Sequence, residues 1–160
     1  MFENNNKKII CFNIINLNKC IYNNKCKYAH SLDEQIIDPY RQKSIDLLKC
    51  YDLSKLNLIK NKYIKENLEI LTKICNDCIN KKCPGGYNCK FGACSYDLLI
   101  CKNDLFYENC NNENCKGHHL TKKGLIPIDK QEDIYIVKNK IKGERVLQEY
   151  IYIYSCKVPL

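Results

Sequence analysis

The residues of this chain that could do chemistry are thiols and imidazoles set at ligand spacing. Cys11, Cys20, Cys26 and His30 follow one another with eight, five and three residues between them. Zn²⁺ has no ligand-field preference and takes four soft or borderline donors tetrahedrally, so three Cys and one His make a closed structural site. The short Cys26-x3-His30 step spans about one helical turn and can put both ligands on the same side of an ion. Cys101, Cys110, Cys115 and His119 follow the same order with one spacer shortened by a residue. His118 is the alternative closing ligand there. It would leave only two residues after Cys115, a poorer match to 26–30.

Between these two groups the thiols crowd, and five compete for four places. One frame takes Cys75, Cys83, Cys89 and Cys94, with cysteine standing where histidine closes the other two. The competing frame begins at Cys78. The fourth residue past the first ligand is apolar in the outer groups (Ile15 and Leu105), and from Cys75 it is Ile79, whereas from Cys78 it is Lys82. A small metal module needs such a residue because it has almost no other core, so Cys75 leads and Cys78 is the alternate. An all-thiolate middle site carries net charge −2 when filled, against −1 for its neighbours.

The stretch 11–30, with Cys-Lys-Tyr-Ala-His at 26–30 and Tyr22 two residues after the second cysteine, resembles the CCCH zinc-finger family. Cys83-Pro84-x-Gly86-x-x-Cys89-x-Phe91 is similar to that family's usual middle segment. The resemblance covers about half the chain. It implies three Zn²⁺, little regular structure in each finger, and binding of single-stranded RNA by stacking on splayed bases. On that alignment Tyr22 and Tyr28 occupy the stacking positions of the first finger, with Lys19, Lys25 and Lys27 beside them for phosphates. Phe91 matches Tyr28 in the middle site, with Tyr87 nearby. Three departures limit the likeness: Ile14 stands where the family has an aromatic, no basic-aromatic lead-in precedes Cys11, and Gly117 replaces the ring of the third finger.

Composition bounds the rest. The 160 residues are 45% hydrophobic and carry a formal charge of +8, with 13 cysteines. No apolar run approaches the 18 residues of a membrane span. The N-terminus lacks the charged-then-apolar order of a secretory signal. Thiol richness without such a signal argues for metal ligation in a reducing intracellular compartment, cytoplasm or nucleus, and not for disulfides. Ten thiolates and three Zn²⁺ would bring the charge down to roughly +4, so electrostatics alone would give only modest phosphate binding. The abundance of Asn, Lys, Ile and Tyr resembles coding from an AT-rich genome such as that of a large DNA virus, whose proteins would act in the host cytoplasm or virion.

The elements that must position these ligands divide the chain into four: a finger at 1–31, a helical hairpin at 32–74, a paired metal module at 75–126, and a C-terminal β-hairpin at 127–160. Asp38-Pro39 is a helix start, and Tyr40, Ile45, Leu47, Leu48 and Tyr51 share a stripe, which predicts a helix over 39–51. Leu56, Ile59, Tyr63, Ile64, Leu68, Leu71 and Ile74 recur at three and four, predicting an amphipathic helix over about 55–74. The β-branched and aromatic runs Ile134–Val137 and Glu149–Tyr154 flank Gly143 and predict an antiparallel hairpin over 133–142 and 145–156. Cys50 and Cys156 have no ligand-spaced neighbours.

The expected fold is therefore a small α+β zinc-finger protein with tandem CCCH-like fingers, a helical insert and a terminal hairpin. The expected function is zinc-dependent binding of single-stranded RNA, in transcription, processing or translation of mRNA. A zinc-stabilised adaptor is the alternative, meeting a protein partner through the helical hairpin or the β-hairpin. Catalysis is not expected: a catalytic zinc keeps an open position, and the His-x-Glu pair of the zinc deaminases does not occur here.

Overall fold

The computed structural model describes residues 7–141. Its regular structure is helical: α1 (Phe12–Leu17), α2 (Pro39–Leu47), α3 (Lys62–Ile70), α4 (Asn76–Ile79), α5 (Lys102–Tyr107) and α6 (Ile128–Ile141), interspersed with single 3₁₀ turns. Extended backbone among the described residues pairs only as three isolated parallel bridges, Ile10 with Ala29, Ile74 with Ala93 and Ile100 with His118.

Helix α2 begins where the sequence says it should. The Asp38 carboxylate accepts from the Tyr40 N–H at 3.0 Å, and Pro39 occupies the first helical position. After Leu47 the chain tightens into 3₁₀-type bonds that run on to Cys50. Helix α3 is shorter than its apolar period predicts. Asn57 takes the backbone away from helix over 57–61: its side-chain oxygen accepts from Lys60 N–H and its carbonyl from the Asn61 amide. Such side-chain to backbone bonds compete with helical ones, so α3 starts at Lys62. At its other end Thr72 bonds back to the Glu69 carbonyl, and the chain extends into the Ile74–Ala93 bridge.

The predicted C-terminal β-hairpin is not seen. Residues 133–141 lie in α6, and the remainder of the hairpin, including Cys156, falls outside the described residues. Tertiary contact decides against β-propensity here. Ile128 and Gln131, one turn apart, are both buried. The Gln131 side chain accepts from the Leu58 N–H at 2.8 Å and donates to the Ile126 carbonyl at 2.6 Å, while Lys65 bridges to Glu132 at 2.9 Å.

One apolar core serves most of the molecule. Ile45, Leu47, Leu48, Ile64, Leu68 and Leu71 of the α2–α3 region meet Ala93, Ile100, Leu105, Leu120, Leu125 and Ile128 from the segments that follow. The helical pair is thus not a spacer between metal modules but the body on which the middle and third modules are built. The first module stands apart. Its own cluster consists of Cys11, Cys20 and Cys26 with Ile14 packed against them.

A polar clamp docks that first module. The Gln35 amide donates to the Lys8 and Gly85 carbonyls at 2.7 and 2.8 Å, and its oxygen accepts from the Tyr87 N–H at 2.9 Å. Asn88 ties Lys8 to Ile36, and the Ile10 N–H reaches the Pro84 carbonyl at 2.8 Å. Removing one buried partner of such a set costs about 1–3 kcal/mol. Gln35→Ala should therefore loosen the first module without unfolding the core. Hydrogen exchange checks this: the Ile10 and Tyr87 amides should lose protection while Leu71 keeps it.

Candidate metal centres

The three modules share one local design. In each, a short helix starts directly after the first cysteine, at Phe12, Asn76 and Lys102. Asn18, Lys81 and Glu108 then turn the chain back in the left-handed region, with φ of 56°, 57° and 54°. The first ligand's own N–H closes the loop, Cys11 to the Ala29 carbonyl, Cys75 to Ala93 and Cys101 to His118, at 2.8, 3.0 and 3.0 Å.

This geometry gathers three groups whose ligand atoms lie within 4.8 Å of one another: Cys11, Cys20, Cys26 and His30; Cys75, Cys78, Cys83 and Cys89; Cys101, Cys110, Cys115 and His119. Two features fit these sites to zinc. The Nε2 atoms of His30 and His119 are buried and lack a hydrogen-bond partner, a costly arrangement unless a metal occupies that lone pair. The donor sets, Cys₃His and Cys₄, are those of closed structural zinc. The structure thus carries three sites suited to three zinc ions.

The ionisation pattern of the thiols points the same way. Burial pushes the Cys20 thiol up, but the Tyr22 N–H and its neighbouring ligands outweigh it and hold the group at about 7. In the third site burial drives Cys101 to about 11, whereas the Asn112 N–H lowers Cys110. In the middle site burial and the adjoining thiols raise Cys78, while the Cys78 N–H helps to lower Cys75. Each cluster therefore favours one thiolate and resists the next. A cation bound there would favour ionisation of all of them, with release of their protons.

Sequence and structure differ at the middle site. Cys94, read as its closing ligand, lies outside the gathered group, and Cys78 is inside it together with Cys75. The two frames weighed from spacing were not exclusive. Cys94 occupies the backbone position held by His30 and His119, immediately after the bridge residue. A thiol reaches less far from its Cα than an imidazole, so cysteine at that position falls short. Cys78 fills the place from α4. The apolar test that pointed to Cys75 fails in its detail, since Ile79 is exposed. At the third site His119 closes the group, and His118 instead meets the Asp97 carbonyl through Nε2 at 2.7 Å.

Behind the middle site lies a buried cation that no ligand spacing could reveal. Arg41 of α2 is 3% exposed. Its guanidinium donates to the Tyr87 and Cys89 carbonyls, both at 3.0 Å, and to the Asn67 side chain at 2.7 Å. Burial lowers its pKa, and the neighbouring Cys89 and Cys94 oppose that shift.

The aromatic residues sort by exposure. Tyr22 and Tyr28 are exposed, and the backbone N–H of each acts to lower the pKa of the ligand thiol two residues before it, Cys20 and Cys26. The Phe91 N–H does the same to Cys89 at 3.4 Å, and its ring is 78% exposed. Phe12, which directly follows the first ligand, joins Tyr22, Tyr28, Lys25 and Lys27 around a cleft of about 460 Å³. Sequence reasoning missed it, although its attachment to Cys11 was the signal. Lys19 is exposed but does not line this cleft. Tyr87 is partly buried against the main core, so its ring serves packing. The ring absent from the third module has a steric reason: a Cβ on Gly117 would sit 2.5 Å from the Cys101 nitrogen.

The chain is 34% identical over 174 aligned residues to uncharacterized protein L412 of Acanthamoeba polyphaga mimivirus. The match takes in 78% of this chain, which spans about 61% of the relative's length. A large DNA virus, the source its composition resembles, fits this likeness. No family model matches, and no solved structure does. No helix among the described residues is long and apolar enough to cross a membrane.

Proposed function

We propose that the protein binds single-stranded RNA through its first metal module, as a non-enzymatic CCCH-type zinc protein. The observation that carries this reading is the cleft of Phe12, Tyr22 and Tyr28 with Lys25 and Lys27 at its edges. Single exposed rings are ordinary, but three grouped around one cleft of a small module mark an interaction surface. Here they are fastened to a metal cage beside cations, the combination by which single strands are held: bases stack on rings, and phosphates meet lysines. Phe91 is a second exposed ring on the middle module. The third module offers none at the matching position and is structural in this reading.

A mixed or AU-rich single-stranded RNA, titrated at physiological salt, tests it. Each base–aromatic stack is worth about 1–3 kcal/mol. Tyr22→Ala and Tyr28→Ala should each weaken binding by roughly that amount while the zinc content stays unchanged. Binding no tighter than to a nonspecific competitor, or indifferent to both substitutions, would remove the proposal.

A second reading rests on a different surface. Ile10, Ile14, Ile15, Leu17 and Leu32 line a cleft of about 670 Å³ between the first and middle modules. An apolar segment of a protein partner could lie there, and a zinc-stabilised adaptor would use it. A stoichiometric protein partner that survives nuclease treatment and is lost with Leu17→Asp would favour this reading over RNA.

A further inference from the structure

Five thiols surround a middle site that has four places. Cys75, Cys83 and Cys89 supply three of them. Cys78 completes the gathered group. Cys94 is the fifth. It is 9% exposed, and it lines the same cleft as Cys78 and Cys83.

Its backbone position is what sets it apart from an ordinary buried cysteine. The bridges pair Ile10 with Ala29, Ile74 with Ala93 and Ile100 with His118. The next residues are Cys11 with His30, Cys75 with Cys94, and Cys101 with His119. In the outer modules this pair supplies the first and last ligands. In the middle module the chain is built to the same plan, with Cys75 N–H held on the Ala93 carbonyl at 3.0 Å. Only the reach of the side chain differs. One more residue separates Cys94 from the third ligand than separates His30 or His119, which leaves slack on that side. Cys78 approaches from the other side on α4, a four-residue helix that offers little resistance to movement.

We propose that the middle centre is a five-thiol zinc site in which Cys94 and Cys78 alternate as the fourth ligand. In the exchange the Zn–S bond to Cys78 breaks and one to Cys94 forms. The proton leaves the Cys94 thiol and is taken up by the departing Cys78 thiolate, so no oxidant or reductant is needed. Cys78 and Cys94 both line the cleft, so whichever of the two is off the ion is the thiol presented there. The two outer sites, each closed by histidine with no fourth cysteine in its stretch of chain, do not share this property.

Zinc counting by native mass spectrometry tests the exchange on the full chain. Cys78→Ser and Cys94→Ser should each retain all three ions, because the remaining thiol takes the place. The double variant should lose one, as should Cys89→Ser. Loss of a zinc from either single variant would overturn the proposal, since one of the two thiols would then be indispensable. A measurement on the unaltered protein avoids any folding defect. Limited iodoacetamide followed by peptide mapping should label Cys78 and Cys94 at least about tenfold faster than Cys75, Cys83 and Cys89, with the zinc retained after one equivalent. Labelling spread evenly over the five thiols, or confined to one of the two, would refute it.

Discussion

Stripping zinc with a strong chelator should unfold the first module completely while part of the helical body survives. The first module has almost no interior besides its ligands: Ile14 packs against Cys11, Cys20 and Cys26, and the small Ala29 is the other buried residue of 7–30. Structural zinc contributes about 10–16 kcal/mol in isolated finger peptides at neutral pH. No contact available to some twenty residues replaces that. The body differs, because Leu58, Leu68, Leu71, Ile100, Leu105, Leu120 and Ile128 are fully buried in a shared core. Hydrogen exchange resolves the two responses. Amides of 9–30 should reach the exchange rates of an open chain on chelation, whereas those of α3 should retain measurable protection. Any RNA affinity should vanish at the same step, since Tyr22 and Tyr28 each stand two residues past a ligand cysteine and lose their placement with the cage.

Replacing Arg41 by Met should destabilise the protein by about 3–5 kcal/mol, because it strips the donor from two carbonyls and the Asn67 side chain at about 1–3 kcal/mol each. The guanidinium satisfies two carbonyls and Asn67, and its hydrogen bond to the Cys89 carbonyl ties α2 to a metal ligand. A filled Cys₄ site carries −2 in a region where Arg41 is the buried cation. Arg41→Lys keeps the charge but not the fork of donors, so it should recover part of the loss. The chemical denaturation midpoint reads the stability. Zinc release to a chromogenic chelator reads the electrostatics, and it should accelerate at the middle site alone. Equal acceleration at all three sites would mean that Arg41 acts by packing only.

The outer metal sites were legible because zinc chemistry is local. Spacing and donor type point to Cys11, Cys20, Cys26 and His30 and rank His119 over His118 at the third site, although the Cys-x3-His steps run through bridge residues and not through a helical turn. The middle site was legible only in part. Spacing ranked Cys94 by its place in the pattern, but ligation depends on how far a side chain reaches from that place, which spacing does not measure. The α2 start was readable from Asp38-Pro39, and the shorter α3 was not, because Asn57 and Asn61 redirect their own backbone. The terminal β-hairpin failed for a tertiary reason. Ile134-Tyr-Ile-Val137 carries strand propensity, yet Ile128 and Gln131 anchor the segment as helix against Leu58. Arg41 lay hidden in an ordinary helix sequence, since its meaning depends on Cys89, distant in the chain.

The measurement closest to the central claim is the metal content of the purified, folded chain by native mass spectrometry. The expected result is three zinc ions, falling to two in Cys26→Ser and to two in Cys115→Ser, each loss confined to its own module by hydrogen exchange. A folded protein that carries no zinc, or one whose count is indifferent to both substitutions, would contradict the account.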